Sequence, residues 1–183
     1  MTTYDYTGGL ALEIAEEKVK KDDVTFAVTV GEDELAGLAE RFGLQAVHAL
    51  SGYGVITRGK EGAYIVRGHV SADIIQTCVA SLGPVAETID DDFELWLVSQ
   101  EVAERWDEES LFLDENHPDY DERDEGPIKI GEITAQTVSI FMNPYPRADG
   151  AGLDVQGPNV TANEPEVGRK NPFEVLKNMN VKG

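Results

Sequence analysis

"AVHALSGYGVITRGKEGAYIVRGHVSADIIQTC", residues 46–78, decides the fold. Apolar and polar residues alternate through most of it. Ala63, Ile65, Arg67 and His69 share one side of an extended chain, and Tyr64, Val66, Gly68 and Val70 share the other. The RGKEG stretch at residues 58–62 is a turn-like break between two such runs, so the pattern predicts a β-hairpin. Further on, Phe93, Leu95 and Leu97 alternate with Glu94, Trp96 and Val98. Period-two patterning dominates residues 47–99 and predicts a mainly antiparallel sheet.

Outward from this centre the periods change. Val24, Phe26, Val28 and Val30 share one face of a strand. A helix beginning at Glu32 or Asp33 carries Leu35, Leu38 and Phe42 on its apolar side, and Gly43 ends it. Leu10, Leu12 and Ile14 alternate as a short strand would, and so do Ile128 and Ile130. Ile133, Thr137, Ile140 and Phe141 recur at helical spacing until Pro144 and Pro146. Asp90, Asp91 and Asp92 read as an exposed turn. Near the end, Asn171 is a helix cap, Pro172 its first position and Glu174 its capping-box partner, with Phe173 and Leu176 on one face.

The expected fold is therefore α+β: a mostly antiparallel sheet, with a barrel-like curl as one form open to it, two main helices and a short C-terminal helix. The expected organisation is a single domain at 1–149 with an acidic surface insert at about 100–126, a flexible linker at 150–170 rich in Gly, Pro and Asn, and a C-terminal segment at 171–183 containing NPF.

The net charge of -20 bears on partners rather than fold. Residues 73–125 hold 18 acidic and 2 basic groups, whereas residues 126–183 hold 6 of each. Unaided binding to a phosphate backbone relies on Lys and Arg, so a basic partner suits this chain better. The opening residues lack a basic start followed by an apolar run, and no apolar stretch reaches the length of a membrane span. A cytoplasmic protein with no membrane and no DNA partner is expected.

Cassettes for chemistry are missing. There is no GxxxxGK[ST] loop, no GxSxG elbow and no HExxH pair, and His48, His69 and His117 are scattered. The one cysteine, Cys78, is flanked by Ile74, Ile75, Val79 and Leu82 and reads as a small core residue. With a single thiol and dispersed histidines, no metal or other cofactor is expected.

Three motifs occur in order: ADIIQTCVASLGPVAETIDDDFELWLV, IKIGEITAQTVSIFMNPYPR and NPFEVLKNM. Together they resemble the YceD family (DUF177), the large ribosomal RNA subunit accumulation proteins, and in particular its alphaproteobacterial branch. The resemblance covers roughly residues 7–180 and marks Gln76, Cys78, Leu82, Pro84, Asn171, Pro172 and Phe173 as motif positions. Many members carry a CxxC; Cys78 stands at the first position and Ser81 at the second, so zinc is not implied here. The resemblance implies a non-enzymatic ribosome-biogenesis factor that supports accumulation of large-subunit (23S) ribosomal RNA. Its implied partners are that RNA, a basic ribosomal protein, or both. Contact is expected through the less acidic parts: Arg58, Lys60 and Arg67 around the hairpin, then Arg147, Arg169, Lys170, Phe173 and Leu176. The alternative reading is an acidic adaptor or chaperone for a basic partner, motivated by the run from Glu101 to Glu125. An enzyme using Cys78 is the third and weakest.

Overall fold

The computed structural model describes residues 5–110, 118–123 and 126–151. In chain order its elements are β1 (Tyr6–Gly8), α1 (Glu16–Val19), β2 (Val24–Thr29), α2 (Glu32–Phe42), β3 (Ala46–Arg58), a short turn of 3-10 helix (Lys60–Gly62), β4 (Tyr64–Thr77), β5 (Pro84–Val98), α3 (Gln100–Ser110), β6 (Tyr120–Glu122) and α4 (Ile130–Phe141). Residues up to Ala148 form one compact unit; Asp149 begins another, of which only residues 149–151 are described.

The alternation around the RGKEG turn produces a hairpin of long strands. β3 pairs with β4 from Arg58↔Tyr64 to Ala46↔Ile75, with a bulge at His48. β4 pairs with β5 from Tyr64↔Leu97 to Thr77↔Pro84. Strand order follows chain order, β1 to β6, in one sheet.

The structure corrects the expected architecture. The successive pairs from β2 to β5 are antiparallel, but the outer pairs β1–β2 and β5–β6 are parallel, so the sheet is mixed. It is open rather than barrel-like: β1 and β6 do not pair, and one isolated bridge between Ile14 and Ile128 joins the segments that follow them. Among the described residues there are four α-helices, where two main ones were expected. α3 lies in the stretch read as an acidic insert, where Val102, Ala103 and Trp106 face its own small core with Ala63 and Val98. Leu10 and Leu12 lie outside any strand, because the chain breaks after Gly8, and Ile130 begins α4. Asp90, Asp91 and Asp92 stand inside β5 and not in a turn, carried there by fourteen continuous register pairs with β4. The C-terminal helix expected after Asn171 lies outside the described residues.

One face of the sheet is apolar. Phe26 and Val28 of β2, Leu50 and Ile56 of β3, and Val66, Val70, Ala72 and Ile74 of β4 are buried on it. α4 lies across this face, touching β2, β3, β4 and β5, and buries Ile130, Ile133, Thr134, Ala135, Thr137 and Val138. The Thr134 and Thr137 hydroxyls donate to the carbonyls of Ile130 and Ile133, which satisfies them without a partner in the sheet. Gly131 permits the close seat: a Cβ there would stand 2.1 Å from the Leu10 carbonyl oxygen. α2 covers β3; Glu34 accepts the Gly31 N–H at its start, and Gly43 closes it in the left-handed conformation at φ 66°.

Gly54 and Gly68 face each other at the middle of the hairpin. A Cβ on Gly54 would meet the Arg67 carbonyl oxygen at 2.2 Å and the Phe26 ring at 2.9 Å. Gly54→Ala is expected to lower unfolding stability by about 2–3 kcal/mol, read from urea melts. Gly37→Ala, on an exposed turn of α2 with nothing within 4 Å of the new Cβ, is expected to raise it by about 0.5–1 kcal/mol.

Candidate partner-binding surface

The face opposite α4 is polar along β4 and β5, and cross-strand register decides what meets on it. Glu94 is opposite Arg67, Asp92 opposite His69 and Thr88 opposite Asp73. Arg67 Nε donates to Glu94 Oε2 at 2.6 Å, and Trp96 Nε1 donates to Glu94 Oε1 at 2.6 Å. The Trp96 hydrogen bond and then the Arg67 one hold the Glu94 carboxyl below its usual range. Tyr53, half exposed, lies with its ring 5.4 Å from the His69 ring. Tyr53, Arg67, His69, Asp92 and Glu94 border a shallow concavity of about 710 Å³ on the helix-free face.

His69 sits between two carboxylates. Its Nδ1 is 2.8 Å from Asp92 Oδ1 and its Nε2 is 2.7 Å from Asp90 Oδ1. Only the imidazolium can donate at both nitrogens. The bond to Asp92, and then that to Asp90, raises the His69 pKa above its ordinary value.

β5 carries Glu87, Asp90, Asp91, Asp92 and Glu94 and no basic residue. It is also an edge: beyond Trp96–Val98, which pair with β6, no strand among the described residues pairs with its outer side. Next to that edge runs a groove of about 650 Å³, with Phe93, Leu95, Ile133, Ile140 and Phe141 as its apolar lining and Pro118–Asp121 along its β6 side. Ile140 is 78% exposed, which sets it apart from the buried residues of α4.

The other end of β5 holds the turn with the cysteine. Cys78 N–H donates to the Gly83 carbonyl and Leu82 N–H to that of Cys78, closing a tight loop. Leu82 adopts a left-handed φ of 60° with its side chain exposed. Cys78 is fully buried. Its Sγ accepts N–H groups from Ser81 and Ala148, each at 3.3 Å. The Ser81 hydroxyl, then the Ala148 and Ser81 N–H groups, lower the thiol to about 6 against the upward push of burial. Gln76 Nε2 donates to Glu87 Oε2 and to the Asn143 carbonyl, while the Asn143 N–H donates to Glu87 Oε1. With Val79 N–H on the Pro146 carbonyl, these bonds strap residues 143–148 onto the turn. Gln76 and Cys78 thus hold the strap, and Pro84 opens β5.

The expected contact residues are not gathered in one place. Arg58 and Lys60 are exposed at one end of the β3–β4 hairpin. Arg147 lies beside the cysteine turn at the far end of β4, on the order of 40 Å away along the strand. Arg67 is engaged by Glu94. Lys20, Arg41, Arg105 and Arg123 are likewise engaged by Glu16, Glu132, Glu61 and Glu16. Arg169, Lys170, Asn171, Pro172, Phe173 and Leu176 lie outside the described residues. Sequence reasoning missed the His69 clamp and the groove. The clamp's signal was available by counting both strands back from the Cys78–Gly83 turn. Among the described residues no cluster of His, Cys, Asp and Glu could hold a metal ion, and no helix is long and apolar enough to cross a membrane. No family model, no curated protein and no solved structure matches the chain.

Two outcomes follow from these hydrogen bonds. Because the folded pKa of His69 is raised, its stabilisation is full below the unfolded value of about 6.5 and is lost as pH rises through the folded one. Denaturation midpoints should fall across that window and the fall should shrink in His69→Gln; the effect stays small and salt-sensitive because both aspartates are exposed. For Cys78, thiolate absorbance should rise at about 6, while a thiol reagent should react only slowly until denaturant is added. Fast labelling of the native chain would contradict the buried site.

Proposed function

We propose that this protein is a non-enzymatic factor supporting accumulation of large-subunit ribosomal RNA, and that it acts by holding a basic ribosomal protein rather than by gripping RNA. The ribosomal part rests on the three ordered motifs that resemble the YceD family. The choice of a protein partner is carried by one observation: β5 presents Asp90, Asp92 and Glu94 on the helix-free face, while the cationic groups beside them, His69 and Arg67, are already bonded to those same carboxylates. RNA binding needs several cations tracking a backbone. An acidic strand attracts a basic protein and repels RNA. The broader reading, an acidic adaptor for basic proteins in general, is favoured by the further acids of α3 at Glu101, Glu104, Asp107 and Glu108.

Pulse-chase labelling in a deletion strain tests the reading. Large-subunit RNA should decay after synthesis while small-subunit RNA is spared. A gene carrying Arg58→Glu and Lys60→Glu should restore it, and one carrying Asp90→Asn, Asp91→Asn and Asp92→Asn should not. Unchanged large-subunit RNA in the deletion strain would overturn the ribosomal reading. General loss of basic proteins with normal ribosomal RNA would select the adaptor.

A further inference from the structure

We propose that the outer edge of β5, from Thr88 to Leu95, accepts an extended segment of a basic protein as an added strand, in which lysine or arginine alternates with apolar residues. This rests on the reading of a basic protein partner and gives that partner a sequence pattern.

The backbone comes first. β4 occupies one side of β5 from Pro84 to Leu97, whereas among the described residues the other side is taken only at its end, by β6 at Trp96–Val98 and by Asp119, whose carbonyl accepts the Trp96 N–H. An edge of this kind offers alternate N–H and carbonyl groups to a strand laid beside it.

Side chains then set the pattern. Successive residues of β5 point to opposite faces. Asp90, Asp92 and Glu94 share the helix-free face with His69 and Arg67, which they pair with. Phe93 and Leu95 point to the other face, where the groove of about 650 Å³ runs beside α4. An added strand keeps the same pleat. Residues on its helix-free face lie beside the three carboxylates, and the residues between them point into the groove against Ile140 and Phe141. Opposite charges in such cross-strand positions attract, and like charges repel.

Charge also chooses the occupant. A second copy would set β5 against β5, with five carboxylates on each. Acidic side chains keep an exposed edge from pairing with acidic neighbours, and leave it open to a basic strand.

Two short synthetic peptides of identical composition test the proposal by NMR titration of the isotopically labelled full chain. One alternates lysine and valine; the other places all its lysines before its valines. The alternating peptide should bind about tenfold more tightly, and Ile140→Glu should cost it about tenfold. Its shifts should centre on the amides of 88–95 and on Ile133 and Ile140, and added salt should weaken it. Ile140 is largely exposed, so the variant should keep its fold, which circular dichroism checks. Equal affinity for both peptides, shifts centred elsewhere, dimerisation through β5, or residues 111–117 already paired along β5 in the free chain would each overturn the proposal. If the peptides fail while the Asp90–Asp92 substitutions still abolish RNA accumulation, the edge proposal falls and the basic-partner reading stands.

Discussion

A single helix laid across four strands is the contact on which the rest of this structure depends. α4 is apolar on most of its circumference, and Ile130, Ala135 and Val138 are fully buried beneath it. Its approach is set by Gly131, which lets the helix backbone come against the Leu10 carbonyl where any side chain would collide. Gly131 N–H also donates to the Leu12 carbonyl at 3.1 Å, and Ile128 and Ile14 exchange both their backbone hydrogen bonds just before it. The helix is therefore fixed at its start by the N-terminal segment. At its other end, Asn143 and Pro146 bond to Glu87 and Val79.

That seat divides the sheet into unequal faces. Burial of the α4 side supplies the main apolar stabilisation. The opposite side is left with cross-strand polar pairs, which contribute little to stability because most of their charged groups are exposed. Three consecutive aspartates are poor strand formers. They remain in β5 because β4 supplies a fixed partner to every residue and because His69 accommodates two of them. An acidic strand at an edge is thus tolerated structurally by the hairpin behind it. Its cost is offset by burial of Ile89 and Leu97 of the same strand in the main core and of Val98 in the small core beside α3.

Legibility in the sequence followed the strength of local periods. β2, α2, the β3–β4 hairpin and the body of α4 each carry one clear period over six or more residues, and each could be read directly. α3 was hidden because its charged residues dominate the composition, although Val102, Ala103 and Trp106 repeat at helical spacing. The parallel placement of β1 and β6 has no local signal: each is three residues long, and their direction is set by distant partners. The surface was less legible than the fold. Basic residues looked available in the sequence, yet Arg67 meets Glu94 only once two strands are in register. The groove combines Phe93 with Ile140, which no spacing rule connects.

An edge strand rich in carboxylates, an apolar groove beside it and arginines already engaged by carboxylates all favour a basic protein over a nucleic acid. The most direct test places a photo-crosslinking residue at Gln136, an exposed position on the groove, and identifies both RNA and protein captured in living cells. The expected product is a basic protein of the large ribosomal subunit joined through a lysine- or arginine-rich extended segment, without RNA. Recovery of ribosomal RNA at Gln136, with no basic protein, would contradict it.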